Sequence, residues 1–292
     1  MSLFVQQHHS YYDFSSNESW IILSAIEQSI KRKIEAVGTP LKDWDIKINY
    51  GIKTGFNDAF IISTAKREEI LSNCIDEDER ERTAAIIRPI LRGRDIKRYG
   101  YSWADLWLIN THNGVKGAIP RIDVNDYPAI KQHLDSYWDS IAVRADKGDT
   151  PYNLRNCAYL EDFNKPKIIF QEIVQESSFA LDNNIHYYCN DTGRIIVGPH
   201  LEHIIGVLNS KLFFFAVKHF YGGGILGEHG VRMKHTFFEN FPCLGYDMAV
   251  ANMATQLQQQ YTDEVSKQLD NLLYDKYGLN DEEREYIEIG GF

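Results

Sequence analysis

Lys165-Pro-Lys-Ile-Ile-Phe-Gln-Glu-Ile173 opens a run of extended segments. Strand signals follow one another over Lys165–Ile173, Ser178–Asp182 and His186–Asn190, with Ile195–Gly198 as a fourth. The order changes at Pro199. From His200 to about Phe220 the apolar residues Ile204, Leu208, Leu212 and Phe215 recur at helical spacing, and Tyr221-Gly-Gly-Gly224 is a strong stop. With strand and helix signals both present along the chain, the expected fold is α+β: a mixed twisted sheet with packed helices, flanked by long helices at both chain ends.

Upstream of that run lies Arg88-Pro-Ile-Leu-Arg-Gly-Arg-Asp-Ile-Lys-Arg-Tyr-Gly-Tyr101. Arg88, Arg92, Arg94, Lys97 and Arg98 crowd together with Asp95 as the only acid among them. Pro89 and Gly93 interrupt any helix, so the segment is expected as a turn or loop between strands. Arginine presents its donors as a planar fork, which fits a phosphate or the O6/N7 edge of guanine. The alternative is a solvated loop with internal ion pairs. A second cationic, glycine-rich segment, Gly222–Lys234, carries His229, Arg232 and Lys234.

The 292 residues carry 41 acids against 31 lysines and arginines, a net charge of -10, which argues against indiscriminate nucleic-acid binding. The acids are segregated, however, into Asp76–Glu81 and the stretch from Asp263 to Glu288. A hydrophobic fraction of 43% marks a folded globular chain, long enough for one large or two small domains. Cysteines 74, 157, 189 and 243 show no C-x-x-C spacing, so structural zinc is not expected and a reducing cytoplasm is. The opening residues do not read as a signal peptide, and the apolar run Leu212–Val217 is too short to span a bilayer.

Toward the N-terminus, Trp20, Leu23, Ile26, Ile30 and Ile34 form a narrow helical stripe capped by Asn17 or Ser19, expected to pack on one partner and not inside a core. Trp44–Tyr50 alternates as a half-buried strand. Gly51-Ile-Lys-Thr-Gly-Phe-Asn-Asp58 reads as a polar hairpin tip leading into a second strand, Ala59–Ser63. Lys53, Thr54 and Asn57 on it could approach a phosphate or a base edge. The Gly-Lys-Ser/Thr ending of a phosphate loop is missing, which excludes nucleotide hydrolysis. Asp105–Asn110 reads as a buried strand and Tyr127–Val143 as a core helix. His200 and His203 stand three apart but lack a third ligand, so surface histidines are expected there. Phe237–Leu244 reads as extended. From Asp247, Val250, Met253, Leu257, Tyr261, Val265, Leu269 and Leu272 trace one long solvent-facing helix with a single apolar seam, followed by a short acidic helix, Asp281–Ile287.

Read in order, several of these segments resemble the TaqI-like C-terminal specificity domain, the target-recognition portion of type IIG restriction-modification enzymes, or adenine-specific DNA methyltransferases. The resemblance is carried by Ile26-Glu-Gln-Ser-Ile30 before Gly38-Thr-Pro-Leu41, then Tyr50-Gly-Ile-Lys-Thr-Gly-Phe-Asn57 and Ile90-Leu-Arg-Gly-Arg-Asp-Ile-Lys97. It continues through Tyr152-Asn-Leu-Arg155, Lys165-Pro-Lys-Ile-Ile169 and Leu208-Asn-Ser-Lys-Leu-Phe213 to Leu273-Tyr-Asp-Lys-Tyr-Gly-Leu279. It implies a tail and linker helix over 1–38, a DNA target-recognition domain over 39–245 and a spacer helix over 246–292. It also implies that the chain reads a short sequence in double-stranded DNA.

Asn-Pro-Pro-Tyr, which holds a flipped adenine, is not in the sequence, nor is a glycine-rich strand end for S-adenosylmethionine. The chain is therefore expected to be a fragment or remnant with no catalytic residues and no cofactor of its own. S-adenosylmethionine and Mg²⁺ would belong to associated methyltransferase and endonuclease domains. Lysines and arginines would fix the register on phosphates while Arg92, Arg94 and Asn57 read the major groove. The DNA-binding set is thus Lys53, Thr54, Asn57, Arg92, Arg94, Lys97, Arg98, His229, Arg232 and Lys234. A helix-mediated dimer, a cytoplasmic location and no membrane partner complete the expectation. Two alternatives stay open. Asp76 or Asp78 with Asp95-Ile-Lys97 loosely imitates a metal-dependent nuclease, and the long helices could serve a protein-interaction module.

Overall fold

The computed structural model describes residues 23–184, 187–222 and 230–290. At its centre is an antiparallel four-stranded sheet in the order Phe179–Asp182, Lys167–Gln171, Gly193–Val197, Lys47–Tyr50. Both of its faces are covered. Ile168, Phe170, Phe179 and Ile196 point into one apolar core, while Ile169, Ala180, Ile195 and Val197 point into another. This explains why Ile168-Ile169-Phe170 reads as a continuous apolar run and not as an alternation. All three side chains are fully buried, each contributing roughly 1.5–3 kcal/mol.

The second core joins the central sheet to a mixed sheet ordered Tyr188–Cys189, Ile87–Leu91, Leu106–Ile109, Ile61–Ser63, in which only the first pairing is parallel. The basic stretch thus begins as a strand, and becomes a turn only at Arg92. Lys47–Tyr50 and Ile61–Ser63 belong to different sheets, so the expected hairpin does not form. A short helix, Asn57–Phe60, stands where that hairpin's second strand would start.

The first core is mainly helical. The N-terminal helix spans Ala25–Val37, with Ser24 and Glu27 forming a capping box. The expected start at Trp20, capped by Asn17 or Ser19, lies outside the described residues. Ile30 and Ile34 are fully buried in that core, which corrects the expectation of a peripheral helix. Instead of one helix from His200 to Phe220, Leu201–Leu208 and Lys211–Ala216 are separated at Asn209-Ser210, and a π-helical turn, Val217–Tyr221, follows. Asn209 is diverted from the helix because its amide brackets Phe179: its Oδ1 accepts from the Phe179 amide at 3.0 Å and its Nδ2 donates to the Phe179 carbonyl at 2.9 Å. Ser210 then caps the next helix, accepting from the Phe213 amide.

Similar corrections apply downstream and upstream. The 127–143 helix is two pieces, Pro128–Asp135 and Trp138–Ile141. Within 237–244, the helix His235–Phe238 precedes the short strand Pro242–Cys243. The long C-terminal helix divides into Met248–Gln259 and Asp263–Lys276, because Thr262 caps the second piece. Its seam is not left to solvent. Leu257, Leu269 and Leu273 share the first core with Ile30, Ile34 and the central sheet, so the end helices and residues 39–245 are packed together. The short acidic helix is Asp281–Glu288, and Lys33 clasps its Glu283 at 2.6 Å, joining the two chain ends. No helix among the described residues is long and apolar enough to cross a membrane.

Candidate nucleic-acid interface

The turns that carry the expected site meet at one end of the two sheets. The Gly51 amide donates to Gly193 at 3.0 Å and the Ile52 amide to Cys189 at 2.7 Å, so the Gly51–Gly55 loop leaves from beside the Asn190–Gly193 turn. A side chain at Gly51 would put its Cβ 1.9 Å from the Asn190 carbonyl oxygen; only glycine permits this approach. The Gly93 amide donates to Thr192 Oγ1 at 3.1 Å, which docks the basic turn on the same corner. Glu172 and Ile173 complete it, since Ile173–Val174 pairs with Val231–Arg232. The basic turn, the Asn190–Thr192 turn and Gln171–Ile173 border an open cleft of about 590 Å³.

At and near this corner the cations are in different states. Arg92 gives its fork to Asp95, at 3.0 and 2.8 Å, and the Asp95 carboxylate also accepts from the Arg92 amide. Burial pushes the Asp95 carboxyl up, but these bonds outweigh it and hold the group below the usual carboxylate range. Arg92 therefore locks the turn. Arg94, exposed on the same turn, makes no side-chain hydrogen bond or ion pair among the described residues. Arg232 is exposed and stands 3.9 Å from Glu172, whose other oxygen accepts from Arg194 at 2.5 Å. Arg194 is buried and lies 3.9 Å over the half-exposed Tyr50 ring, which His235 meets edge-on at 5.6 Å. Lys234, two residues beyond Arg232, sits over Phe237.

Other expected residues lie at or beyond the cleft's edge. Lys53 is exposed but paired with Asp146 at 2.8 Å, and that hydrogen bond is the main reason the Asp146 carboxyl falls below its ordinary range. Thr54 is buried and donates to Asn57 Oδ1 at 2.6 Å, which leaves Asn57 exposed but partly engaged. Lys97 donates to the Arg94 carbonyl at 3.0 Å. Arg98 points elsewhere: it lies 3.4 Å from the Tyr261 hydroxyl and 4.0 Å from buried Asp270, at the seam with the C-terminal helices. His229 lies outside the described residues.

Sequence reasoning missed Gln171. Its side chain lines the cleft beside Arg94 and makes no hydrogen bond among the described residues. The available signal was a polar residue directly following the apolar run Ile168-Ile169-Phe170. Asn190, Asp191 and Thr192 also line the cleft; Thr192 donates to Asn190 Oδ1 at 2.7 Å, and Asp191 is exposed without a partner among the described residues. Chemically, the cleft offers a free guanidinium, a free carboxamide and a free carboxylate, the groups that read guanine, adenine and cytosine edges respectively.

The nuclease alternative loses two of its three candidate acids, while Asp78 stays exposed in the first turn of the helix Glu77–Ile86. Asp95 is committed to Arg92, and Asp76 caps the helix Glu77–Ile86 by accepting from the Glu79 amide at 2.8 Å. Among the described residues, no group of three or more His, Cys, Asp or Glu side chains could hold a metal. His203 is not a surface residue. It is buried, with Nε2 2.8 Å from the Leu244 carbonyl and Nδ1 accepting from the Asp247 amide at 3.3 Å.

A family model described as the TaqI-like C-terminal specificity domain matches residues 88–234. Two solved structures share the architecture. One is the type IIL restriction-modification enzyme MmeI in complex with DNA, with 12% identity and a TM-score of 0.59 over 86% of this chain and 36% of that one. The other is the type IIG restriction endonuclease BpuSI, with 13% identity and a TM-score of 0.50 over 87% of this chain and 34% of that one. The chain thus spans about a third of the length of these two enzymes. No curated protein matches the sequence.

Proposed function

This chain belongs to the family of TaqI-like C-terminal specificity domains, and from that premise we propose that it reads a short sequence in double-stranded DNA through the cleft at the end of its two sheets. The observation that carries the reading is the gathering of open donors and acceptors there: Arg94, Gln171 and Asp191 line one opening, and none of the three side chains makes a hydrogen bond or ion pair among the described residues. In a solvated surface loop such groups are unremarkable. Gathered on one corner by Gly51, Gly93 and the Thr192 contact, they match the fork and amide geometry of major-groove readout. Arg232, which neighbours the cleft residue Glu172, and Lys234, Lys97 and Lys53 would supply phosphate contacts, the last by exchanging Asp146 for DNA.

In the whole protein, this part would direct an adenine-specific methyltransferase and an endonuclease, with S-adenosylmethionine and Mg²⁺ bound by those catalytic domains. The fused helices at the two chain ends, with Lys33 on Glu283, support a joint that holds this piece to such a neighbour. A second copy could dock on the same helical side, and the protein would act in the cytoplasm.

The test is selection from a randomised duplex pool at several salt concentrations, using the chain and an Arg94→Glu/Gln171→Ala variant. The chain is expected to enrich one short motif, and the variant to remain folded and lose that enrichment. Failure of the unaltered chain to enrich any motif, or equal enrichment by the variant, would overturn the assignment of the cleft.

A further inference from the structure

Arg144 is a cation withdrawn from water with no carboxylate hydrogen-bonded to it. It is 6% exposed, and its bonds go to main-chain carbonyls of separate segments. Nη1 donates to Thr54 and, at 3.1 Å, to Asp146; Nη2 donates to Pro151 at 2.9 Å and to Asn153 at 2.6 Å. The guanidinium lies 4.3 Å from the Phe60 ring centroid. Burial draws its pKa down to about 10, the mark of a charge held in a poor solvent. An apolar side chain would fill such a place at lower cost if packing were the only requirement. What an apolar group cannot do is bond several carbonyls at once, which the arginine fork does.

The segments so held matter for the cleft. Thr54 is in the Gly51–Gly55 loop, whose other end is pinned to Asn190–Gly193. Asp146 carries the carboxylate that pairs with Lys53 at 2.8 Å and Arg155 at 3.3 Å. Gly55, at φ +70, presses on the Asp146 carbonyl, where an added Cβ would come within 2.8 Å. Arg144 thus lies beneath the junction of the loop tip and the 146–153 turn.

We propose that Arg144 is a positioning residue for DNA recognition: it fixes the Gly51–Gly55 loop beside the cleft's corner and, through the 2.6 Å bond from Thr54 to Asn57 Oδ1, the base-reading candidate Asn57. This rests on the DNA-reading assignment above, deepens it, and is separable from it by experiment. With a duplex selected by the unaltered chain and a scrambled duplex of the same composition, Arg144→Lys keeps the charge and loses the fork. That variant is expected to lose about ten-fold or more in the ratio of selected to scrambled binding. Its affinity for the scrambled duplex should stay within about two-fold, because phosphate contacts carry no sequence information. In Arg144→Gly, millimolar guanidinium should restore part of the ratio.

An unchanged ratio in folded Arg144→Lys overturns the proposal, as does a parallel fall in both affinities that tracks lost thermal stability. Selection of no motif by the unaltered chain overturns the DNA reading instead. Hydrogen exchange on the unaltered chain tests the clamp itself, without DNA or a variant. Amides of 51–56 and 146–153 should open together, and exchange about a hundred-fold faster in one segment than the other would sink the proposal.

Discussion

The two ends of the strand Lys167–Gln171 are built on opposite principles. At its first residue every polar group is engaged. Lys167 Nζ, fully buried, donates to the Phe163 carbonyl and to Asp182, each at 2.8 Å, and Asp182 also accepts from the Tyr187 amide at 2.6 Å. Next to it Asp162 accepts from Asn49 at 2.8 Å and Lys165 at 2.7 Å. At the last residue, Gln171 and its neighbours Arg94 and Asp191 are unengaged among the described residues, and Arg232 stops 3.9 Å short of Glu172. Polar groups paired internally specify the fold; polar groups left open on a rigid edge are available to another molecule. The same strand supplies both.

That contrast can be broken most severely at the closed end. Asp182→Ala leaves Lys167 buried without its counter-ion and is expected to cost about 3–5 kcal/mol in urea unfolding. A loss below about 1 kcal/mol would mean that the pair is not what fixes that end. The Arg98–Asp270 seam is intermediate, since Asp270 Oδ2 has no hydrogen-bond partner among the described residues. Burial raises the Asp270 carboxyl from 3.8 to about 6. The folded chain therefore holds a proton there in a window where the unfolded chain has released it. The stabilisation is complete below about pH 4 and is lost as pH rises through 6, a swing of roughly 3 kcal/mol. Asp270→Asn keeps an acceptor for the Lys211 amide, now 2.9 Å from Oδ1, and is expected to flatten that slope in denaturant melts taken across the window.

At the open end the order of effects reverses. Arg94→Glu with Gln171→Ala should shift stability by no more than about 0.5 kcal/mol. Its discrimination between selected and scrambled duplexes should fall by roughly 1–3 kcal/mol for each base contact removed. The smallest change is expected from Lys53→Ala. Its exposed pair with Asp146 is worth less than about 1 kcal/mol, and in titrations of DNA binding the dependence on log salt should lessen by about one.

Much of the scaffold was readable from the chain itself. Ile168-Ile169-Phe170, Phe179-Ala180-Leu181 and Ile195-Ile196-Val197 announce strands because burial on both faces demands continuous apolar residues. The breaks were not readable where a side chain serves a distant partner. Asn209 leaves its helix to bracket Phe179, and no local propensity contains that information. The cations of 88–98 looked equivalent in sequence because their acids are separated from them in different ways: Asp95 lies three residues from Arg92, whereas Asp270 reaches Arg98 from the far end of the chain. Gln171 was hidden for the reverse reason. Its distinction is that nothing nearby uses it, and only three-dimensional proximity reveals that.

The central sheet has a further consequence. With apolar layers against both its faces, its interior is saturated with contacts that never reach the strand tips. Substitution at Arg94, Gln171, Asp191 or Arg232 can therefore alter the chemistry of the edge without repacking either layer. A lineage built on this frame could change the word it reads while keeping the grammar of its fold.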